Sequence, residues 1–212
     1  GAWSSLCVER GAGNIVLATA QIWRRGVEKV LAFRETVLDD RRDAAERLIR
    51  AMRRAGAHFV DPANWQANAA ILARADYLDG DAALIHRAIS DRLVLTRGAE
   101  PVHYADFMFQ HSEAANFPWV SQAQWLYSQM VRWDQLAYDP QDALAAGRVF
   151  RPDIYRSALA GTGDPLQTAN CRFYGTACPP QRIPSMNQDA VIESALALEA
   201  RSPGFHTRSP GG

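Results

Sequence analysis

The sequence predicts a mainly helical α/β protein with two short strands near its start. Three observations carry that expectation. Compact apolar runs bounded by glycine or polar residues occur early, in residues 14–20 (NIVLATA) and 27–34 (VEKVLAFR). From Asp39 onward apolar side chains recur at three- and four-residue steps, the period of a helix face. Aspartates then stand at the head of successive apolar segments, at Asp61, Asp81 and Asp139, two of them directly before proline.

Taken in order, residues 1–13 read as irregular or as a short helix ended by the Gly11-Ala12-Gly13 turn. Ile15, Val16 and Leu17 favour a buried strand, and residues 21–26 (QIWRRG) form a connection. Residues 27–34 suit a second strand, with a helix as the alternative. Asp39 or Asp40 is expected to cap a helix running to about Val60. Ala45, Leu48, Ile49, Met52, Ala55 and Phe59 mark its apolar face; Arg42, Glu46, Arg47, Arg50, Arg53 and Arg54 mark a solvated one. Asp61-Pro62 opens a helix faced by Trp65, Ala69, Leu72 and Ala73, residues 77–80 turn, and Asp81 caps a helix bearing Leu84, Ile85 and Ala88. Residues 93–109 are less regular, and Phe107, Met108 and Phe109 are expected under the helix that follows.

That helix lies in residues 116–133, NFPWVSQAQWLYSQMVRW, which hold three of the six tryptophans. Ser121 and Gln124 have capping-box spacing, and Ala123, Leu126, Tyr127, Met130 and Trp133 define one face of a helix expected to reach about Leu136. Asp139-Pro140 starts a further helix with Ala143, Leu144 and Ala146, and residues 152–160 form another turn or two. From residue 161 on the composition changes: six of the eleven prolines and six glycines fall there. One amphipathic helix is expected in 187–201, and the end of the chain reads as disordered.

Composition narrows the function classes. The 212 residues balance 23 basic against 23 acidic side chains, so no general nucleic-acid or anionic-membrane surface is indicated. Lys29 is the sole lysine. No apolar run approaches the 18 or so residues of a membrane-spanning helix, and the opening GAWSSLCVERGAG lacks the shape of a signal peptide. The missing initiator methionine suits a mature product or a portion of something longer. Of Cys7, Cys171 and Cys178, the last two are spaced for a disulfide, and free thiols fit equally.

Motifs for chemistry are scarce. The sequence has no P-loop, no G-x-S-x-G, no H-E-x-x-H and no C-x-x-C. Gly11-Ala12-Gly13 precedes an expected strand instead of following one, the wrong order for dinucleotide binding. Asp39-Asp40 is explained by capping, and His103 and His111 lack partners at zinc-ligand spacing. An enzyme is not expected, nor a cofactor or a bound metal.

Several segments resemble one family, in matching order. NFPWVSQAQWLYSQMVRW resembles the NFPWRSH..W...QMVRW segment of nitrate- and bicarbonate-binding proteins of ABC importers, whose relatives include cytoplasmic nitrate sensors. Residues 18–33 (ATAQIWRRGVEKVLAF) look like the family's ATSQDIWPDHPEKVLG, residues 76–80 (DYLDG) follow AAILARA as EILARPEYLN does, and residues 149–159 (VFRPDIYRSAL) look like VYRPDLYREAA. The chain departs at GAWSS, where the family has GEPWN, at Gly26-Val27, where it has His-Pro, and after Gly161.

The resemblance implies a two-lobed fold of the periplasmic-binding-protein type II, closing on a small anion, with this chain as its C-terminal half. On that basis residues 1–26 end the second lobe and cross the hinge, residues 27–160 are the helical part of the first lobe, and residues 161–212 are an irregular extension. It implies ligand-binding roles for Gly1 (close backbone approach), Trp3 (a wall), Trp23, and Arg24 and Lys29 (the cationic group). Implied partners are nitrate, nitrite or bicarbonate, a membrane permease or, for a sensor, a regulatory protein, and a further N-terminal lobe; nucleic acid is not among them. The implied location is the periplasm, or the cytoplasm for a sensor. Bicarbonate members use calcium, for which no acidic cluster is evident.

Overall fold

A computed structural model describes residues 2–18, 29–104, 111–164, 166 and 167. Its contacts group the chain into two units, Gly1–Gly26 with Met52–Asn116, and Val27–Ala51 with Phe117–Gly212.

The first unit begins with α1 (Ala2–Glu9). The helix ends because Gly11 takes the left-handed conformation, φ 69°. Gly11 N–H then donates to Val8 O (3.0 Å) and Ala12 N–H to Cys7 O (2.8 Å), which satisfies the last carbonyls. A Cβ at Gly11 would lie 3.1 Å from Arg97 Nη1. The strand expected in 14–20 does not form in its described part: Ile15 N–H donates once, to Leu95 O (2.9 Å), while Val16 and Leu17 stand exposed. An apolar run becomes a strand only when a neighbouring backbone completes its ladder. Cys7 is exposed and free, and Cys171 and Cys178 lie outside the described residues.

Asp61, as expected, accepts from Ala63 N–H (3.0 Å) and starts the turn Pro62–Asn64. This leads into α4 (Trp65–Leu72), the fourth helix in chain order. α5 (Ala82–Ile89) is capped by Asp81, whose Oδ1 accepts from Ala83 (2.7 Å) and Leu84 (3.1 Å). Ala69, Ile85 and Ile89 form a core against which Phe59, Trp65, Leu72, Ala73 and Leu78 pack. Glu9 and Arg87 join α1 to α5 at 2.9 Å. After α5 the chain makes a minimal antiparallel pair not anticipated in the sequence, β1 (Arg92–Leu93) with β2 (Val102–His103), in register Arg92↔His103. Residues 107–109 lie outside the described residues, as does the helix expected in 187–201.

The second unit contains α2 (Glu35–Asp40), with residues 29–34 in neither strand nor helix. Asp39 and Asp40 therefore finish a short helix and do not cap a long one. Arg41, at φ −136°, breaks the run, and its carbonyl accepts from Ala44 and Ala45 as α3 (Arg42–Val60) starts. α3 buries only Ala45; Leu48 and Met52, read as core, are exposed. The polar face read as solvated has a packing role instead. Glu46 accepts from Arg42 Nε (2.8 Å) and Ser157 Oγ (2.7 Å), and Arg50 Nη1 donates to Ala158 O (2.8 Å). These bonds hold α8 (Pro152–Leu159), in which Ile154, Ala158 and Leu159 are buried.

α6 (Val120–Arg132) packs on α7 (Pro140–Val149) through Tyr127, Val131 and Ala143, flanked by Tyr138 and Ala146. The helix starts one residue before Ser121. Its N-cap is Trp119, which makes no side-chain cap bond, so the expected Ser121–Gln124 box is not the start. Trp133 caps the other end, and Asp134 turns left-handed at φ 56°, short of Leu136. The buried face is Ala123, Tyr127, Ser128 and Val131; Leu126, Met130 and Trp133 are exposed. α7 explains the rotation. A Cβ at Gly147 would meet Val120 Cγ1 and Gln124 Nε2 at 3.3 Å, so α7 lies against the side of α6 that carries 120, 124, 127 and 131. Trp119 is buried instead against Phe117 (4.7 Å between rings), and Phe117 meets Tyr155 of α8 edge-on at 5.4 Å.

Asp139 caps α7 through Gln141 N–H (2.6 Å) and Asp142 N–H (3.3 Å). The Tyr127 hydroxyl donates to Asp139 O (3.1 Å) and accepts from Asp139 N–H (2.9 Å). Tyr127→Phe strands both backbone groups, and urea unfolding is expected to show a loss of about 1–3 kcal/mol with helix content unchanged. Glu46 has its carboxyl pKa lowered below 4.5, first by the Ser157 hydroxyl and further by Arg42 and Arg50, against an opposing effect of burial. A depressed pKa contributes stability that is present above the unfolded value and lost as pH falls through the folded one. Urea midpoints are therefore expected to fall with acidification below pH 4.5, less steeply in Glu46→Gln than in the parent chain.

Candidate functional site

The residues proposed to meet an anion are placed as follows. Trp3 lies in the first turn of α1 with 61% of its surface exposed. Lys29 is exposed in an irregular segment before α2, next to exposed Val30 and Leu31. Trp3 belongs to the first unit and Lys29 to the second. Gly1, Trp23 and Arg24 lie outside the described residues.

Among the described residues no three His, Cys, Asp or Glu side chains converge as metal ligands would. His103 sits on β2, and His111 is engaged by Arg53, whose Nη1 is 2.9 Å from Nε2. No helix among the described residues is long and apolar enough to cross a membrane.

Sequence reasoning missed one concave feature. A hollow of about 370 Å³ opens between the second half of α3 and α4, lined by Arg54, Ala55, His58, Phe59, Asn68, Ile71 and Leu72. Asn68 is buried and its Nδ2 has no hydrogen-bond partner. The available signal was its spacing: Asn68 follows Trp65 by three residues and adjoins Ala69, both on the core side of α4.

Residues 2–73 match the model of the NMT1-like family. The nitrate import ATP-binding protein NrtC of Synechococcus elongatus is 30% identical over 170 residues, which is 80% of this chain and 25% of that protein. The nitrate/nitrite binding protein NrtA of the same species is 25% identical over 162 residues, 76% of this chain and 36% of that one. The crystal structure of the periplasmic nitrate-binding protein NrtA from Synechocystis superposes with a TM-score of 0.75 at 22% identity, covering 81% of this chain and 46% of that structure. The chain thus spans between a quarter and a half of the length of these relatives. The fold is the periplasmic-binding-protein fold, represented here by a mainly helical portion with few short strands. The resemblance to the nitrate- and bicarbonate-binding family is borne out.

Because Trp3 is exposed, its removal is expected to leave folding intact. Trp3→Ala should change the urea-unfolding free energy by no more than about 0.5 kcal/mol. A larger loss would assign this indole to packing.

Proposed function

We propose that this relative of nitrate- and bicarbonate-binding proteins supplies one portion of a solute-binding protein that captures nitrate, nitrite or a similar small anion and delivers it to a membrane permease. The observation that carries the reading is likeness to nitrate-transport proteins over about four-fifths of the chain, joined to a shared fold. No covalent step is involved: two lobes close on the ligand, and the anion exchanges water for donors in a dry cleft. A planar monovalent anion asks for one positive charge and several directed donors, and such charge-assisted bonds are short and strong.

In this reading Lys29 or Arg24 provides the charge, Trp3 and Trp23 wall the cleft, and Gly1 allows close backbone approach. Residues 1–26 end one lobe and cross the hinge, residues 27–160 belong to the other, residues 161–212 extend beyond it, and an N-terminal lobe completes the cleft. The periplasm is the proposed location, in line with the NrtA relative described as periplasmic.

The likeness to NrtC supports a second reading, a ligand-sensing portion of a transporter's ATP-binding subunit. The chain has no P-loop and matches NrtA over nearly as many residues, so the segment shared with NrtC is not its nucleotide site. The relatives matched are transport components, which favours uptake over cytoplasmic sensing.

Calorimetric titration of the 212-residue chain with nitrate, nitrite and bicarbonate is expected to give weak or no binding, since one portion of a two-lobed cleft leaves the anion in water. Micromolar binding by this chain alone overturns the half-cleft reading. In a complete two-lobed version, Lys29→Ala is expected to weaken nitrate affinity at least about tenfold, or about 1.4 kcal/mol. Unchanged affinity in both Lys29→Ala and Arg24→Ala removes these side chains from the site.

A further inference from the structure

We propose that an exposed apolar stripe on α6 is the docking surface for residues 187–201 of the same chain, which lie along it as an amphipathic helix. The packed side of α6 is formed by Ala123, Tyr127, Ser128 and Val131. A second apolar line, Leu126, Met130 and Trp133, runs beside it at i, i+4 and i+7, with Trp133 at the C-cap. Their exposures are 37%, 41% and 69%. Single exposed apolar residues are ordinary, but three large ones in line repeat the anchor spacing by which one helix meets another. Charge does not interrupt the line. Arg132 is the only charged residue of α6, and its guanidinium lies over the Trp133 ring at 5.6 Å.

Three features select the occupant. The first is where the described chain leaves off. Arg156 of α8 donates through Nε to Gln167 O (2.6 Å), and the same guanidinium stands over the Phe117 ring at 5.2 Å, just ahead of α6. The chain therefore passes out of the described region beside the N-terminal end of α6, within the second unit. The second feature is length. Twenty-four residues separate Gln167 from Val191. Fully extended, such a stretch spans up to about 80 Å, whereas the 13 residues of α6 rise about 20 Å. The whole stripe is within reach, and a segment of the same chain meets it in an intramolecular step.

The third feature is pattern. Val191, Ala195 and Leu198 recur at i, i+4 and i+7, the spacing of Leu126, Met130 and Trp133. Small Ala195 at the centre of one line leaves room for Met130, long and adaptable, at the centre of the other. Residues 187–201 hold Asp189, Glu193 and Glu199 against a single Arg201, while α6 carries only Arg132, so the charges of the two partners attract. The segment lies beyond Gly161, where the sequence departs from the nitrate-binding family, so this contact belongs to the chain itself and does not depend on the anion-binding reading.

The test is disulfide trapping in the full 212-residue chain. Cys7, Cys171 and Cys178 are replaced by serine, and Met130→Cys is combined with Ala195→Cys. A disulfide forms only when the two Cα atoms come within about 7 Å. At low protein concentration and mild oxidation, the expected intrachain bond forms at least about tenfold faster than in the reference pair Arg47→Cys with Ala195→Cys, which asks the same segment to meet an exposed position on α3. Adding Val191→Asp and Leu198→Asp should remove that advantage. Hydroxyl-radical footprinting of the chain with its native cysteines and stripe gives a second readout. There, Val191→Asp with Leu198→Asp should raise oxidation of Met130 and Trp133 severalfold and leave buried Tyr127 unchanged, which shows that α6 stays packed. Equal rates in the two cysteine pairs overturn the proposal, as does oxidation of Met130 and Trp133 that ignores the aspartates. Trapping only between chains, rising with protein concentration, gives the stripe to a second copy and overturns it as well.

Discussion

Short helices are the constraint under which this chain folds. α4, α5 and α8 each have eight residues, and α7 has ten. Isolated helices shorter than about 12–15 residues are marginal in water, so these depend on satisfied ends and on packing. Aspartate supplies the ends of α5 and α7, at Asp81 and Asp139, each accepting from two backbone amides of the first turn, and Asp61 accepts from one amide of the turn Pro62–Asn64 that leads into α4. Tyr127 then couples an end to a core: its ring packs with Val131 and Ala143, and its hydroxyl holds both backbone groups of the Asp139 cap. Where no side-chain cap forms, tertiary contacts take its place. α8 starts after Arg151 without a cap bond, and is held by Glu46 and Arg50 of α3.

What was legible in the sequence follows from this. The aspartate caps were readable because a cap is chemistry confined to three or four consecutive residues. The Ser121–Gln124 box has the same local form, but Trp119 stands at the N-cap, where its ring is buried against Phe117. Aromatic packing there outweighs a cap worth about 1 kcal/mol. The face of α6 was misread for a related reason: Ala123, Leu126, Tyr127, Met130 and Trp133 fit a helical period, but so do Ala123, Tyr127 and Val131 with Val120 and Gln124, and only the close approach of Gly147 selects the second set. In its described part, residues 14–18, the expected strand failed on the opposite count, since a strand depends wholly on a neighbour and Ile15 makes a single backbone bond among the described residues, to Leu95.

The candidate site was legible only through family likeness. Lys29, Arg24, Trp3, Trp23 and Gly1 are scattered over 29 residues with no spacing that composition or periodicity singles out. A cleft assembled from distant segments leaves no local pattern, because each segment contributes one or two groups and the geometry comes from the fold. Trp3, Val16 and Leu17 are exposed in the first unit, and Lys29, Val30 and Leu31 in the second.

The polar face of α3 shows why charge pattern alone misassigns roles. Arg42, Glu46, Arg47, Arg50, Arg53 and Arg54 are interchangeable in a helical wheel, yet the structure divides them. Arg47 pairs with Asp43 in the open, with both side chains more than half exposed, an ion pair of little energetic weight. Glu46 and Arg50 anchor α8, and Arg53 engages His111. Arg54, one residue further, is among the residues lining the hollow beside α4. A side chain's task on this helix is set by what the next helix brings within about 3 Å of it, α8 beside its first half and α4 beside its second. The basic content of the stretch therefore says nothing about which arginine anchors a neighbouring helix and which stays in solvent.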